Sequence, residues 1–429
     1  MQAIYPLARF CALVVTCAAS AATHAAPTVD GSLAGDAAFY GPALSVQNTN
    51  TQFGDATNGD PYIAQGGSEI DQVFAATVGD RLHVLVTGNF ENNYNKLNVF
   101  LDTEAGGMNT INAANAPANV DPFCCEGPGA VERHNGLTFD AGFAADHYLI
   151  FSNGPERVVA TNVTFDSFSA YYAELNAGPG GRKNEVGYHA APLGVEPGLA
   201  QGEPIDRVNN NCVGDSDTGC APAWHLFAEQ RDFENEVGLR MAIDNRNTGG
   251  VRAGGGAQTG DPQNVTTGIE FSLPLSSLGF PTGDLKIAAF IGNSRHDFVS
   301  NQFAGDGVLQ GNLGFTGFGG QPVDLAAIAG QQFVTVPHAA LAGDYRYDGA
   351  VDAADYTVWR DQQALGFADA AGYGVWAGAF GSGSAGVVPE PTALAAVASA
   401  LLATVASTGR ASPPSAKPTR ALSPPGREP

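Results

Sequence analysis

Apolar and polar residues alternate with a period of two along several short runs between residues 28 and 337. Such alternation is typical of β-strands that turn one face to a core and the other to solvent. Glycine, asparagine, aspartate and proline bound these runs, which indicates antiparallel strands joined by turns. The clearest runs lie at 81–87, 96–102, 238–244, 268–273, 286–291 and 332–336.

No long helical periodicity interrupts the runs, which argues against a fold of alternating strands and helices. Many short strands with glycine-rich turns predict an all-β domain, a jelly-roll-type antiparallel β-sandwich, over residues 27–337. Residues 109–235 contain several stretches of low complexity. They are predicted to form a long loop insertion within the sandwich domain.

A different pattern occupies residues 343–381. The sequence DAADYTVW at 352–359 recurs as DAAGYGVW at 369–376, seventeen residues further along the chain. Internal repeats of this kind indicate repeated structural units. The valine and tryptophan that end each copy suit the buried side of a helix, so the repeat predicts a small pair of amphipathic helices.

The first copy overlaps a twelve-residue acidic segment with the spacing of a calcium-binding loop. Aspartates stand at positions 1, 5, 9 and 12, and Gly349 stands at position 6, where such loops turn sharply. Arg346 occupies position 3, and a guanidinium cannot ligate a cation. The segment predicts one weak Ca²⁺ site at most, with a metal-free acidic turn as the alternative. The ligands would be Asp344, Asp348, the carbonyl of Ala350, Asp352 and Asp355.

The loop, the aspartate at its last position and the Val-Trp helix that follows resemble a type I dockerin repeat. That family carries two such repeats and docks to a cohesin domain, so the resemblance implies a cohesin-like partner. The second copy departs from the family, because Gly372 stands where the first copy has Asp355.

The chain is strongly acidic. Asp and Glu number 43 against 20 Lys and Arg, which gives a formal net charge of −23. Nucleic acids and anionic membranes are bound through basic patches, so this balance argues against both as partners. The composition suits a soluble extracellular protein and is compatible with divalent cations.

Four of the six cysteines lie beyond the N-terminal apolar run. An even number in an exported chain suggests two disulfides. Cys212 and Cys220 bracket a short loop and could pair with each other. Cys124 and Cys125 are adjacent, so each is expected to reach elsewhere. The alternative, a zinc site, finds no CxxC or nearby histidine pattern to support it.

The N-terminus has the pattern of a signal peptide over residues 1–26. Arg9 supplies a positive charge, residues 10–22 are apolar, and small residues at Ala25 and Ala26 suit cleavage. The sequence therefore predicts an exported protein.

The C-terminal region carries a second export pattern. A Pro-Glu-Pro motif precedes an apolar run at 392–406 and Arg410. This order resembles the PEP-CTERM sorting signal of Gram-negative bacteria. The resemblance implies a sorting helix within 387–410, membrane retention and processing by an exosortase-type protease. The Pro/Ser-rich residues 411–429 are predicted to be a disordered tail. The motif residues are Pro389, Glu390 and Pro391.

Four segments of the sandwich region resemble family 9 carbohydrate-binding modules and follow one another in the family's order. The resemblance implies a jelly-roll-type β-sandwich. Phe39 and Tyr40 replace the family's usual tryptophan, and the family's sugar-stacking aromatics find no matching positions. Carbohydrate binding is therefore not carried over by the resemblance. The four segments are 28–44, 80–90, 96–107 and 268–279.

Catalytic motifs such as H-E-x-x-H and G-x-S-x-G are absent from the sequence. Asp102 and Glu104 are close enough for a glycosidase-type carboxylate pair, with a turn or an ion site as the simpler interpretation. His296 and Asp297 form a polar knot whose groups would cap one another. Trp224 would stack on a sugar or pack in a core.

Three hypotheses follow for the function. The first is a non-catalytic protein of the cell surface or extracellular matrix, with polysaccharide as the expected partner. The second is a glycan-active enzyme with its site in the loop insertion. The third is a docking subunit that binds a cohesin-like protein through the calcium loop.

Overall fold

The computed structural model describes residues 26–54, 67–91, 93–122, 128–158, 163–192, 236–244, 261–306, 311–315 and 321–383. Several predictions lie outside the described residues: nearly all of the signal peptide, Trp224, the sorting segment and the C-terminal tail. The candidate disulfide residues also lie outside them, namely Cys124, Cys125, Cys212 and Cys220.

The described chain is built mostly of β-strands. They are β1 (Ser45–Val46), β2 (Glu69–Val78), β3 (Arg81–Asn89), β4 (Lys96–Asp102), β5 (His147–Val158), β6 (Val163–Glu174), β7 (Lys183–Pro192), β8 (Arg240–Ile243), β9 (Gly268–Pro274), β10 (Leu285–Gly292), β11 (Phe298–Phe303), β12 (Gly314–Phe315) and β13 (Val334–Val336).

The strands form two antiparallel sheets. One has five strands in the order β1-β2-β3-β9-β8. The other has eight strands, in the order β12-β11-β10-β4-β5-β6-β7, and β13 pairs with β10 beside this path. The sheets pack face to face, as the alternating runs predicted. The shared core joins Val84 and Phe271 of the smaller sheet to Val99, Leu149 and Ile287 of the larger one.

The larger sheet is buried on its outer face as well, so the expectation of a single buried face is wrong there. Phe100 and Tyr148 stack with ring centroids 4.1 Å apart, and a second core covers them. Polar positions on this face are buried with partners: Tyr148 donates to Asn98, and Lys96 lies 2.7 Å from Asp121. In the sequence, a buried polar residue with a hydrogen-bond partner looks the same as a polar residue that faces solvent, so the pattern does not distinguish them.

The expectation of a loop insertion over 109–235 is wrong for β5, β6 and β7, which occupy residues 147–158, 163–174 and 183–192. Residues 148–151 lie in buried positions on both faces of the sheet, with Tyr148 and Ile150 in one core and Leu149 and Phe151 in the other. A strand that is apolar on both faces shows no alternation, which is why the period of two failed to find it.

The helices are short. They are α1 (Ala37–Tyr40), α2 (Ala130–Arg133), α3 (Ala353–Ala364) and α4 (Gly372–Ala379). The last two, the helical pair, cover the sequence repeat. The expectation of a buried Val-Trp side is wrong for the second copy, because α4 has no buried residue and Val375 is 45% exposed. No helix in the described ranges is both long and apolar enough to cross a membrane.

Candidate binding cleft between the sandwich and the helical pair

The first copy of the repeat opens α3 with a capping box. The Asp352 carboxylate accepts a hydrogen bond from Ala354 N at 2.7 Å, and the Asp355 carboxylate accepts one from Asp352 N at 2.7 Å. These bonds satisfy amide groups that have no partner within the helix. The aspartates at loop positions 9 and 12 thus fix the start of the helix.

The two copies hold each other through their tryptophans. Trp359 Nε1 donates to the carbonyl of Asp369 at 3.0 Å, and Trp376 Nε1 donates to the carbonyl of Asp352 at 2.7 Å. Each tryptophan therefore bonds the first residue of the other copy. Tyr356 adds an aromatic contact across the pair, 5.1 Å from Trp376. The repeat in the sequence corresponds to a reciprocal arrangement in space.

The remaining aspartates of the predicted calcium loop also bond to backbone groups. Asp344, only 3% exposed, accepts hydrogen bonds from Asp348 N and Gly349 N. Asp355 accepts a second bond from Arg346 N at 3.0 Å. Arg346 also pairs with Asp348 at 3.1 Å.

These contacts indicate how well the loop could hold a cation. Within the ranges described, no three His, Cys, Asp or Glu side chains are grouped as metal ligands. Ala350, whose carbonyl was the expected backbone ligand, forms a β-bridge with Gly383. The Arg346 guanidinium brings a positive charge to Asp348, at the position where a calcium loop would place an oxygen ligand. The residues fit a loop held by hydrogen bonds and this ion pair.

The helical pair docks against one end of the sandwich. Arg182, beside the start of β7, donates to the carbonyl of Leu365 at 2.8 Å, and its guanidinium lies 3.5 Å from the centre of the Phe367 ring. Tyr347 donates to the carbonyl of Pro281 at 3.2 Å. Both polar and apolar contacts therefore fix the pair on the sandwich.

A cleft of about 520 Å³ opens along this junction. Its walls come from both regions, and they combine aromatic rings with charged groups. The aromatic residues are Phe280, Tyr345, Trp359 and Phe367, and the titratable residues are Glu104, His147, Glu174, Arg182 and Asp369.

The electrostatic balance of the cleft is negative. Burial, and then the charges of Asp146, Glu174 and Asp369, raise the pKa of Glu104. Burial lowers the pKa of His147 to about 4, so its imidazole is neutral at physiological pH. Arg182 supplies a positive charge, and it lies 3.7 Å from Glu174.

The structure assigns different environments to Asp102 and Glu104. Asp102 pairs with Lys286 at 2.9 Å and accepts a bond from Ala144 N. Glu104 lines the junction cleft as well as an adjoining cavity of about 500 Å³ that also contains Asp102 and Lys286. Asp102 is thus held by a lysine, whereas Glu104 faces open space.

The polar knot at His296 and Asp297 has a structural role. His296 Nε2 lies 2.9 Å from the buried carboxylate of Asp121, which also binds Lys96. Asp297 bonds to Asn293 on the same turn. His296 and Asp297 thus connect the turn before β11 to the second core, and they lie outside the cleft.

From the sequence, Glu104 was a candidate carboxylate and Trp359 was expected on the buried side of a helix, and the other cleft residues were not named as site residues. Arg182 and Glu174 belong to the segment expected to be loop, and His147 begins a strand without alternation. The pairing of β5, β6 and β7 brings these three together, because His147 lies opposite Glu174 and Glu174 N donates to the carbonyl of Arg182. The docked helical pair then adds Trp359 and Asp369 to them. Comparisons of the chain with protein-family models, curated proteins and solved structures find no match.

Proposed function

We propose that this is a non-catalytic, exported protein of the cell surface or extracellular matrix that binds carbohydrate in the junction cleft. The carrying observation is the combination of Phe280, Tyr345 and Trp359 with Glu104 and Arg182 around one cavity. The export and sorting patterns at the two ends of the sequence give the location. The sandwich is of the jelly-roll type, and the helical pair is a degenerate dockerin-like unit.

Carbohydrate is the ligand class that this lining suits. Sugar rings present apolar C–H faces, which pack on aromatic rings, and hydroxyls, which bond to carboxylates and guanidinium groups. The cavity volume of about 520 Å³ is within the usual range of small-molecule sites. The cleft is open at a junction, so a chain longer than one sugar can extend out of it.

Lack of catalysis is supported by the way the carboxylates are held. Glycosidases need one carboxylic acid and one carboxylate flanking the bond that is cleaved. Asp102 is paired with Lys286, and Glu174 lies 3.7 Å from Arg182, so a basic side chain contacts each of them. Among the described residues, Glu104 lines the cleft without such a basic partner.

A glycan-active enzyme is the second candidate, and one observation favours it. The pKa of Glu104 is raised by burial and by neighbouring carboxylates, as expected of a general acid. The site of such an enzyme would be the junction cleft, with Glu174 or Asp369 as the second carboxylate.

A docking subunit is the third candidate. Its partner would be a cohesin-like protein bound through the helical pair, with a single weak Ca²⁺ at the Asp344–Asp355 loop. The exposed rings of Tyr373 and Phe380 on and after α4 offer apolar surface for such a contact.

Binding to a panel of soluble polysaccharides, with product analysis in the same samples, tests the first proposal. The test variant is Arg182→Ala, and the matched control is its neighbour Lys183→Ala, whose amine bonds to the carbonyl of Ala118 outside the cleft. We expect at least one glycan to bind, with a loss of about tenfold or more for Arg182→Ala and no change for Lys183→Ala.

Three results would overturn the proposal. One is that no glycan binds, and a second is that the two variants bind alike. The third is turnover of a bound glycan that disappears in Glu104→Gln, which would establish the enzyme instead.

A further inference from the structure

We propose that the junction cleft selects sugars that carry a free, protonated amine, as in oligomers of glucosamine. This inference rests on the proposed carbohydrate function and names the class of glycan. It follows from the charges and rings that face the cleft.

The acidic groups outnumber the basic ones on both walls. Glu104 and Glu174 come from the sandwich, and Asp369 comes from the helical pair. Arg182 is the counter-charge from the described lining, and His147 is neutral at physiological pH. A ligand that enters this cleft therefore meets a negative potential, which favours a cation and disfavours a uronic acid.

Arg182 does not neutralise the whole cleft. It lies 3.7 Å from Glu174, donates to the carbonyl of Leu365 and stacks on the ring of Phe367. In the part of the chain that the structure describes, neither Glu104 nor Asp369 has an ion pair with a basic side chain. One of these carboxylates belongs to the sandwich and the other to the helical pair, and the charge of Asp369 raises the pKa of Glu104. An ammonium group bound by both would relieve this repulsion.

Aromatic rings border the same space. Phe280 of the sandwich and Tyr345 of the helical-pair region meet edge to face with centroids 4.7 Å apart, and Trp359 belongs to the same cluster. An ammonium group is attracted to aromatic faces, and the attraction is larger in a partly desolvated cleft. Carboxylates and rings together distinguish an amine from a neutral acetamide of similar size.

The imidazole of His147 points to a ligand independently of the acidic groups. Its residue is 4% exposed, and its Nδ1 lies 2.9 Å from the hydroxyl of Tyr172. Its Nε2 is buried and makes no well-formed hydrogen bond with the described residues, and the residue lines the cleft. Such a buried polar atom is costly, and a sugar hydroxyl that reached it would satisfy it.

Calorimetric titration of the full chain separates amine recognition from sugar recognition. The probes are a glucosamine oligomer, the N-acetylated oligomer of the same length, an oligouronate and free lysine, at a pH that keeps the amines protonated. We expect the free-amine oligomer to bind about tenfold more tightly than the acetylated one, as for one added ion pair or cation–π contact. Lysine and the oligouronate should bind much more weakly.

Glu104→Gln and Asp369→Asn are the test variants, and each should remove most of the preference for the free amine. Asp361→Asn is the matched control, since Asp361 is exposed on α3 and pairs with its neighbour Arg360. It should keep the full preference. Thermal unfolding of each variant verifies that it folds.

The outcomes separate this inference from the proposed function. If the acetylated oligomer binds as tightly as the free amine, or if Glu104→Gln keeps the preference, the inference is wrong while glycan binding stands. Equal binding of lysine would show that the sugar ring is not recognised and would also overturn it. If no oligomer binds and the polysaccharide panel is negative, the proposed function fails too.

Discussion

The two copies of the C-terminal repeat share most of their letters but differ in what their carboxylates do. In the first copy, Asp355 is 1% exposed and its oxygens accept bonds from the backbone amides of Arg346 and Asp352. The second copy has Gly372 at the matching position. A Cβ there would lie 2.6 Å from Trp359 Nε1 and 2.9 Å from the hydroxyl of Tyr345.

This difference teaches how a duplicated unit can divide its roles. The first copy keeps the aspartates that fix its loop and start its helix. The second gives up the aspartate, and the side chains of Trp359 and Tyr345 fill the space. Gly372 and Asp369 then become part of the cleft wall. The loss of one loop is thus coupled to the packing that forms the candidate site.

An aspartate at position 372, as at the matching position of the first copy, should disrupt the helical pair. This variant has the largest expected effect on stability. In Gly372→Asp the new side chain collides with Trp359 and Tyr345, which we expect to cost about 3 kcal/mol or more. Thermal unfolding followed by tryptophan fluorescence measures it. Gly374→Asp is the matched control, because its Cβ meets nothing within 4 Å. Equal losses in both variants would contradict the packing role of Gly372.

Asp71, a buried aspartate of the sandwich, provides a second comparison with Asp355. Asp71 is about as buried as Asp355, but its Oδ2 has no partner among the described residues. Burial, and then Glu69, raise its pKa to about 9. Because the pKa of Asp71 is raised in the folded state, protonation of its carboxyl stabilises the fold. This stabilisation is complete at about pH 4 and is lost as the pH rises towards 9.

Asp71→Asn mimics the protonated acid and should therefore remove this loss. We expect the variant to match the wild type at about pH 4 and to melt several degrees higher at about pH 8. Asp355→Asn should not melt higher at either pH, because both oxygens of Asp355 are already bonded. Melting curves at the two pH values decide this, and a lower melting temperature for Asp71→Asn at the higher pH would contradict the account.

The capping roles of the two copies should differ by a smaller amount. Asp355→Ala removes two hydrogen bonds at a buried position and should cost about 2 kcal/mol, whereas Asp369→Ala removes a single bond to Gly372 N and should cost about 0.5 kcal/mol. Chemical denaturation of both variants measures the difference. An equal cost would mean that the first copy holds its helix no better than the second.

The smallest effect concerns the calcium loop. Replacing Arg346 by asparagine supplies an oxygen at position 3 and removes the charge paired with Asp348. We expect the wild type to bind Ca²⁺ weakly and Arg346→Asn to bind about tenfold more tightly. Calorimetric titration of the full chain measures this, with Arg346→Asn/Asp348→Ala as the control. Identical binding in all three would mean that the loop does not hold the ion.

The sandwich was predictable where apolar residues recur at every second position, as at Leu82, Val84 and Val86. The other face of that strand is buried as well, with His83 and Leu85 under 5% exposed. The strand at residues 148–151 shows no alternation of apolar and polar residues, because both of its faces are buried. The burial of Asn98 could not be predicted either, since its hydrogen-bond partner Tyr148 lies far along the chain.

The candidate site was less predictable than the fold. The repeat located Trp359, and the strand-end carboxylates pointed to Glu104. Arg182 in the cleft donates to Leu365, which is 183 residues away. No local pattern encodes such a contact, because it depends on how the helical pair docks on the sandwich.

Hydrogen–deuterium exchange on the full chain, with and without the tightest-binding glycan of the panel, tests the central claim most directly. A ligand in the junction cleft should protect amides on both walls, in residues 277–282 of the sandwich and 366–375 of the helical pair. Protection that appears elsewhere, with both of these segments unchanged, would contradict the assignment of the cleft as the binding site.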